Sequence, residues 1–243
     1  MKSFTLSLIL GSVAAFADIF GGMVLVRGNW EKRYLRYFVA LGAGFMMAAA
    51  FLEMVPESFR LSMRWAPALV LAGYCAIHLL EHTITPHFHF GEETHHDEFI
   101  SQHTGNSVVA GLAVHALFDG VAIGSGFVIS NWLGWIIFLA VFLHKAPEGF
   151  TVASIMLASG RSRRIALYSA ILLASATLAG VLAINLLPGW VRGGLPLSAG
   201  VAIYVAATDL VPEVNREPGI RMALVFFAGV LLFFLLRLLA PSL

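Results

Sequence analysis

The sequence predicts an all-α integral membrane protein, one transmembrane domain over residues 1–243 built from eight transmembrane helices. Three observations predict it. First, 59% of the residues are hydrophobic and only 12% charged, with a mean hydropathy of +0.84. Soluble domains carry about twice that share of charge, and a chain this poor in polar groups cannot cover a water-exposed surface. Second, eight apolar runs approach the about 20 residues a helix needs to cross the hydrocarbon. They lie at 4–26, 37–57, 65–80, 106–129, 132–159, 165–190, 195–214 and 220–239, numbered here as spans 1 to 8. Third, Lys and Arg gather between these runs, with an excess on one side.

Span 1 has a leader-like beginning: Lys2 precedes it and Ala15-Phe16-Ala17 has the form of a cleavage site. The apolar run continues to Val26, long enough to cross, so span 1 is read as retained. Span 3 is short and can be extended through Glu81 and His82. Connections are tight except at 82–103, a His-rich flexible loop that is expected to be cytosolic. With the N-terminus outside, the inner loops hold nine basic residues, Arg161, Arg163 and Arg164 chief among them, against five on the outer side. The positive-inside rule then puts both termini outside.

Spans 2 and 7 end alike, in Glu53-Met54-Val55-Pro56-Glu57 and Asp209-Leu210-Val211-Pro212-Glu213. Under this orientation span 2 runs outward and span 7 inward. The likeness predicts a 3+2+3 arrangement in which spans 1–3 and 6–8 are inverted repeats flanking spans 4 and 5, a plan that places a binding site near the midplane. The competing explanation is that Pro-Glu merely closes each helix at the interface.

Composition also excludes. A net charge of +1 gives no footing for nucleic acid. The one cysteine, Cys75, excludes a disulfide framework and a thiolate zinc site.

The chemistry lies in spans 4 and 5. Span 4 carries His115-Ala116-Leu117-Phe118-Asp119-Gly120 and span 5 carries His144-Lys145-Ala146-Pro147-Glu148-Gly149. Both read His-x-x-x-acid-Gly. Residues four apart share a helix face, so each helix offers one imidazole and one carboxylate to the same side. All are deep. Lys145 lies about 18–20 Å from either end of its span at 1.5 Å rise per residue, too far to snorkel out. An ionisable group at the bilayer centre costs about 2.5–3.5 kcal/mol on insertion scales, so these groups must compensate one another or line a polar cavity. A divalent cation supplies that compensation, because two neutral imidazoles and two carboxylates carry the opposite charge. Imidazole with carboxylate suits zinc, and also iron, manganese or cadmium. The rival is a polar network gluing helices together.

Smaller signals surround this motif. Pro147 frees the carbonyl of Leu143, which then either faces the ion or marks a plain kink. Gly120, Gly124 and Gly149 read as close-packing positions. Asp18, Glu53, Asp209 and Glu213 lie toward span ends, where acids attract cations, and are candidates for an entry and exit path. Each has a competing role as a water-facing helix end. The 82–103 loop holds His87, His89, His95 and His96 with four acids and no Lys or Arg, a composition that reads as loose metal binding.

With these motifs the chain resembles the ZIP (Zrt/Irt-like) family of divalent metal transporters over its whole length. The resemblance implies that His115, Asp119, His144 and Glu148 form the central transport site. It also implies Zn²⁺ as the transported ion (Fe²⁺, Mn²⁺ or Cd²⁺ in some members), moved toward the cytosol across the plasma (inner) membrane, with no catalytic cofactor. The mechanism implied is the rigid movement of one helix bundle against another. Two departures stand out. Ala116 replaces an Asn common in the family. Lys145 stands where some members carry an acid that helps hold a second metal. Lys145 is therefore expected either to take the place of that second ion, leaving one metal per site, or to act as a counter-ion to Glu148 or Asp119 until metal arrives. An embedded metalloenzyme stays open as the alternative, although it would need an open coordination position and a general base. A channel or sensor stays open too. The oligomeric state is unreadable, a homodimer being the assembly entertained.

Overall fold

The computed structural model describes residues 2–27, 32–83, 102–215 and 220–239. Every regular element among them is helical: α1 (Lys2–Arg27), α2 (Lys32–Ala49), α3 (Val55–Leu61), α4 (Ala66–Thr83), α5 (Gln102–Ile129), α6 (Asn131–Ala158), α7 (Arg163–Leu186), α8 (Val191–Tyr204), α9 (Val211–Asn215) and α10 (Ile220–Leu239), with short π and 3₁₀ turns between some of them. The eight predicted spans correspond in order to α1, α2 with α3, α4, α5, α6, α7, α8 with α9, and α10. Seven of these are long and apolar enough to cross a membrane. The remaining one, α4, has 18 residues and runs through Glu81 and His82. The histidines expected to bind metal in the loop, His87, His89, His95 and His96, lie outside the described residues.

Local chemistry sets several ends. Ser130 caps α6 by accepting from the Leu133 N–H at 3.1 Å, and Ser162 caps α7 through Ile165. Gly160 closes α6 at φ 77°, a left-handed position that favours glycine. Span 6 was expected to reach residue 190. It stops at Leu186 instead, because Pro188 opens a 3₁₀ turn, Pro188–Trp190, that leads into α8.

The burial pattern is inside-out. The most apolar span, Ile220–Leu239, is the least buried, at 17% of its window, whereas Asn131–Ala158 is 78% buried. A water-soluble fold would bury its most apolar helix. Trp65, Trp135 and Trp190, all well exposed, sit near the starts of α4, α6 and α8. Exposed indoles near helix ends are what a membrane interface favours. The molecule is a multi-pass membrane protein.

The helices associate as four parallel pairs, and each partner contributes a glycine to the crossing. Gly120 of α5 lies against Thr177 of α7 while Gly180 of α7 lies against Leu117. Gly21 and Gly149 do the same for α1 and α6, Gly44 and Gly229 for α2 and α10, and Gly73 and Gly200 for α4 and α8. Small residues let backbones approach in a medium where helices gain nothing from hiding apolar surface. The α1–α6 and α5–α7 pairs, joined along α5 and α6, hold the site between them.

Candidate metal centre

The site is built from two adjacent helices. His115 and Asp119 sit one turn apart on α5, and His144 and Glu148 one turn apart on α6. Close packing of α5 on α7 through Gly120, and of α6 on α1 through Gly149, presses the helices together at the turn that carries each carboxylate. All four side chains are buried, and one donor atom from each lies within 4.8 Å of the others.

The distances are specific. Asp119 Oδ2 lies 3.1 Å from His115 Nε2 and 3.3 Å from His144 Nε2. Glu148 Oε2 is 3.9 Å from each of the same two nitrogens. Donors around a tetrahedral zinc with bonds near 2.0–2.1 Å stand about 3.4 Å apart, so this set, spread over as much as 4.8 Å, must draw in by up to about 1.4 Å to close on one ion. His144 Nδ1 faces the Ala140 carbonyl at 2.9 Å. That contact makes Nδ1 the protonated nitrogen and leaves Nε2, the atom facing the cluster, with a lone pair to give.

Lys145 is completely buried beside the four donors. Its Nζ donates to Glu148 Oε2 at 2.6 Å and lies 2.9 Å from Asp119 Oδ2. On its other side Asp18 of α1 approaches, with Oδ2 at 3.7 Å. Asp18 was expected toward the end of its span. It is instead 0% exposed, and the Cα and carbonyl of the same residue pack on Gly149. Its depth was countable, since the apolar run extends on both sides of it.

A cavity adjoins the cluster, lined by Glu81, His115, His144, Glu148, Val205 and Asp209 among others. It lies toward the end of the molecule where α4 and α8 finish and α5 begins. Asp209 is thereby joined to the centre, along with Glu81, which sequence reasoning passed over as a possible helix extension. Tyr204 donates to Glu81 at 2.7 Å. Glu53 is elsewhere, half-buried near Arg237 of α10 at 3.5 Å. The side chain of Glu213 lies outside the described residues. The Leu143 carbonyl released by Pro147 lies over Gly42 of α2, so it packs a helix crossing.

Fold and site together define a polytopic membrane protein with a buried cluster of two imidazoles and two carboxylates. The family model described as ZIP zinc transporter matches residues 100–237, more than half the chain and every helix from α5 into α10. The chain belongs to the ZIP zinc transporter family. It is 33% identical to the human zinc transporter SLC39A7 over 131 residues, 48% of this chain and 27% of that protein. It is 31% identical to zinc transporter zipt-7.1 of Caenorhabditis briggsae over 107 residues, 41% of this chain and 27% of that one. With zinc transporter ZIP9 of Micropogonias undulatus it shares 32% over 163 residues, 61% of this chain and 51% of the relative. The matched region thus spans between a quarter and a half of these relatives' lengths.

Proposed function

We propose that this protein carries divalent transition-metal ions, zinc foremost, across the membrane toward the cytosol through a midplane site formed by His115, Asp119, His144 and Glu148. The observation that carries this reading is the convergence of four buried donors from two neighbouring helices within 4.8 Å. Charge this deep in a bilayer is expensive, and a divalent cation relieves it. The ligand set lacks thiolate, so the ion is held less firmly than in a closed structural site and can leave. Membership of a transporter family argues against the metalloenzyme alternative.

On this reading the cavity lined by Glu81 and Asp209 is the inner path, and Lys145 fills the place of a second ion. Glu53 and Glu213 are left as outlying acids of the path. The loop at 82–103 receives the ion in the cytosol. The inverted-repeat plan has two supports. The pairing of α1 with α6 is mirrored by that of α7 with α5, and α4 with α8 by α10 with α2. In addition, π turns at Ala50–Met54 and Val205–Leu210 precede the two Val-Pro-Glu sequences in the same register.

Proteoliposome uptake with a panel of divalent cations tests the function. Wild type should show saturable zinc flux that His144→Ala and Glu148→Ala abolish. Wild-type flux no greater than that of protein-free vesicles for every metal would end the proposal.

A further inference from the structure

Lys145 occupies the oxygens that a metal would use. Its ammonium lies 2.6 Å from Glu148 Oε2 and 2.9 Å from Asp119 Oδ2, and those two atoms are the ones that face His115 Nε2 and His144 Nε2. An incoming metal competes with the ammonium for the lone pairs of these two oxygens and is repelled by its charge. The lysine cannot retreat to water, because it is 0% exposed. It has somewhere else to go. Asp18 is equally buried, and neither of its carboxylate oxygens has a hydrogen-bond partner among the described residues. Its Oδ2 is 3.7 Å from Nζ, so a movement of about 1 Å would bring the pair to the 2.7–2.9 Å of a charge-assisted hydrogen bond.

Charge balance points the same way. The four presumed ligands and Lys145 sum to −1 with neutral imidazoles, and a divalent ion among them would leave a net positive charge buried in hydrocarbon. Asp18 brings the sum to −2, which one divalent cation cancels. Burying an uncompensated charge is what such sites avoid. We infer that Asp18 is the receiving carboxylate of a lysine latch: as metal enters between His115, Asp119, His144 and Glu148, the Lys145 ammonium transfers from Glu148 and Asp119 to Asp18, and it returns when the metal leaves. Asp18 is a positioning residue that acts through Lys145. This rests on the site proposed above.

Calorimetric Zn²⁺ binding to the purified full chain tests it through a double-mutant cycle. Asp18→Asn preserves shape and removes the charge. It should weaken zinc binding about 100-fold in the presence of Lys145 and by less than about 10-fold in a Lys145→Met background, a coupling of at least tenfold. If Asp18 acted only through its field, the two factors would be equal, and that result overturns the latch. The latch is also overturned if Asp18→Asn binds zinc as wild type does. His144→Ala is the control: wild-type affinity in that variant would sink the underlying site instead. Should a corner of the cycle fail to fold, the wild-type protein decides. A zinc-loaded structure should place Lys145 Nζ within hydrogen-bond distance of Asp18 and away from Glu148. Nζ still bridging Glu148 and Asp119 beside bound zinc overturns the inference.

Discussion

Tyr204 of α8 donates a hydrogen bond of 2.7 Å to Glu81 of α4, and the ring of Tyr204 lies edge-on to that of Tyr74 at 5.0 Å. The contact ties a tyrosine to an acid that lines the cavity beside the four-donor cluster. Asp209 lines the same space, five residues beyond Tyr204, and Thr208 places its hydroxyl 3.3 Å from Asp209 Oδ1. Two carboxylates therefore line one cavity beside the centre, and one of them is oriented by a neighbouring helix.

Neutralising these acids should slow the passage of the ion more than it changes the central site. Glu81→Gln and Asp209→Asn are expected to reduce zinc flux several-fold, with equilibrium affinity at the centre within about threefold of wild type, because neither acid contributes a donor to the four-atom cluster. Stopped-flow uptake alongside calorimetry reads both quantities. Unchanged flux in both variants would remove these acids from the path.

On the proposed reading the Lys145 ammonium takes the place of a second ion. Anomalous scattering from zinc-soaked wild-type crystals should show one metal among His115, Asp119, His144 and Glu148. A second full-occupancy peak at the position of Lys145 Nζ would contradict single occupancy.

The glycine crossings should be intolerant of a single added carbon. A Cβ on Gly120 would overlap the Thr177 carbonyl, whereas one on Gly189 meets nothing within 4 Å. Gly120→Ala should lower thermal stability by about 1–3 kcal/mol through overpacking, and Gly189→Ala should leave it unchanged. Detergent thermal-shift curves compare them directly, and equal melting of the two variants would remove the close crossing as a source of stability.

Orientation is open to labelling. In a Cys75→Ser background, Gly189→Cys should react with an impermeant maleimide added to intact cells, and Arg164→Cys only after permeabilisation. The reverse pattern would invert the orientation expected from the loop charges.

Much of the architecture was legible because membrane helices announce themselves by length and apolarity. The face shared by His115 and Asp119, and by His144 and Glu148, followed from 3.6-residue periodicity alone. That these two faces meet was not in the periodicity: it depends on how α5 and α6 cross, where Gly126 packs on Gly134 across the short connection at Ser130, while Gly120 and Gly180 set α5 against α7. Asp18 was read as an outlying acid because a lone carboxylate gives no sign of the helix it will touch. Glu81 lay past the expected end of a short apolar run, and the Pro188 break depended on a local turn. The π turns left no periodic trace, since one additional residue in an apolar stretch leaves its composition unchanged.

Those π turns have a geometric consequence. In each, the valine before proline donates its N–H to the carbonyl five residues back, Val55 to Ala50 and Val211 to Ala206. Each turn thus stores one residue more than an α path would hold. That surplus swings everything beyond it by about 100° about the helix axis. Glu57 therefore stands about a quarter-turn or more away from the azimuth an unbroken helix would assign it, and a helical wheel drawn through either span misplaces its far end. Deleting one residue from Ala50–Met54 would straighten the wheel and turn Glu57 to a different neighbour.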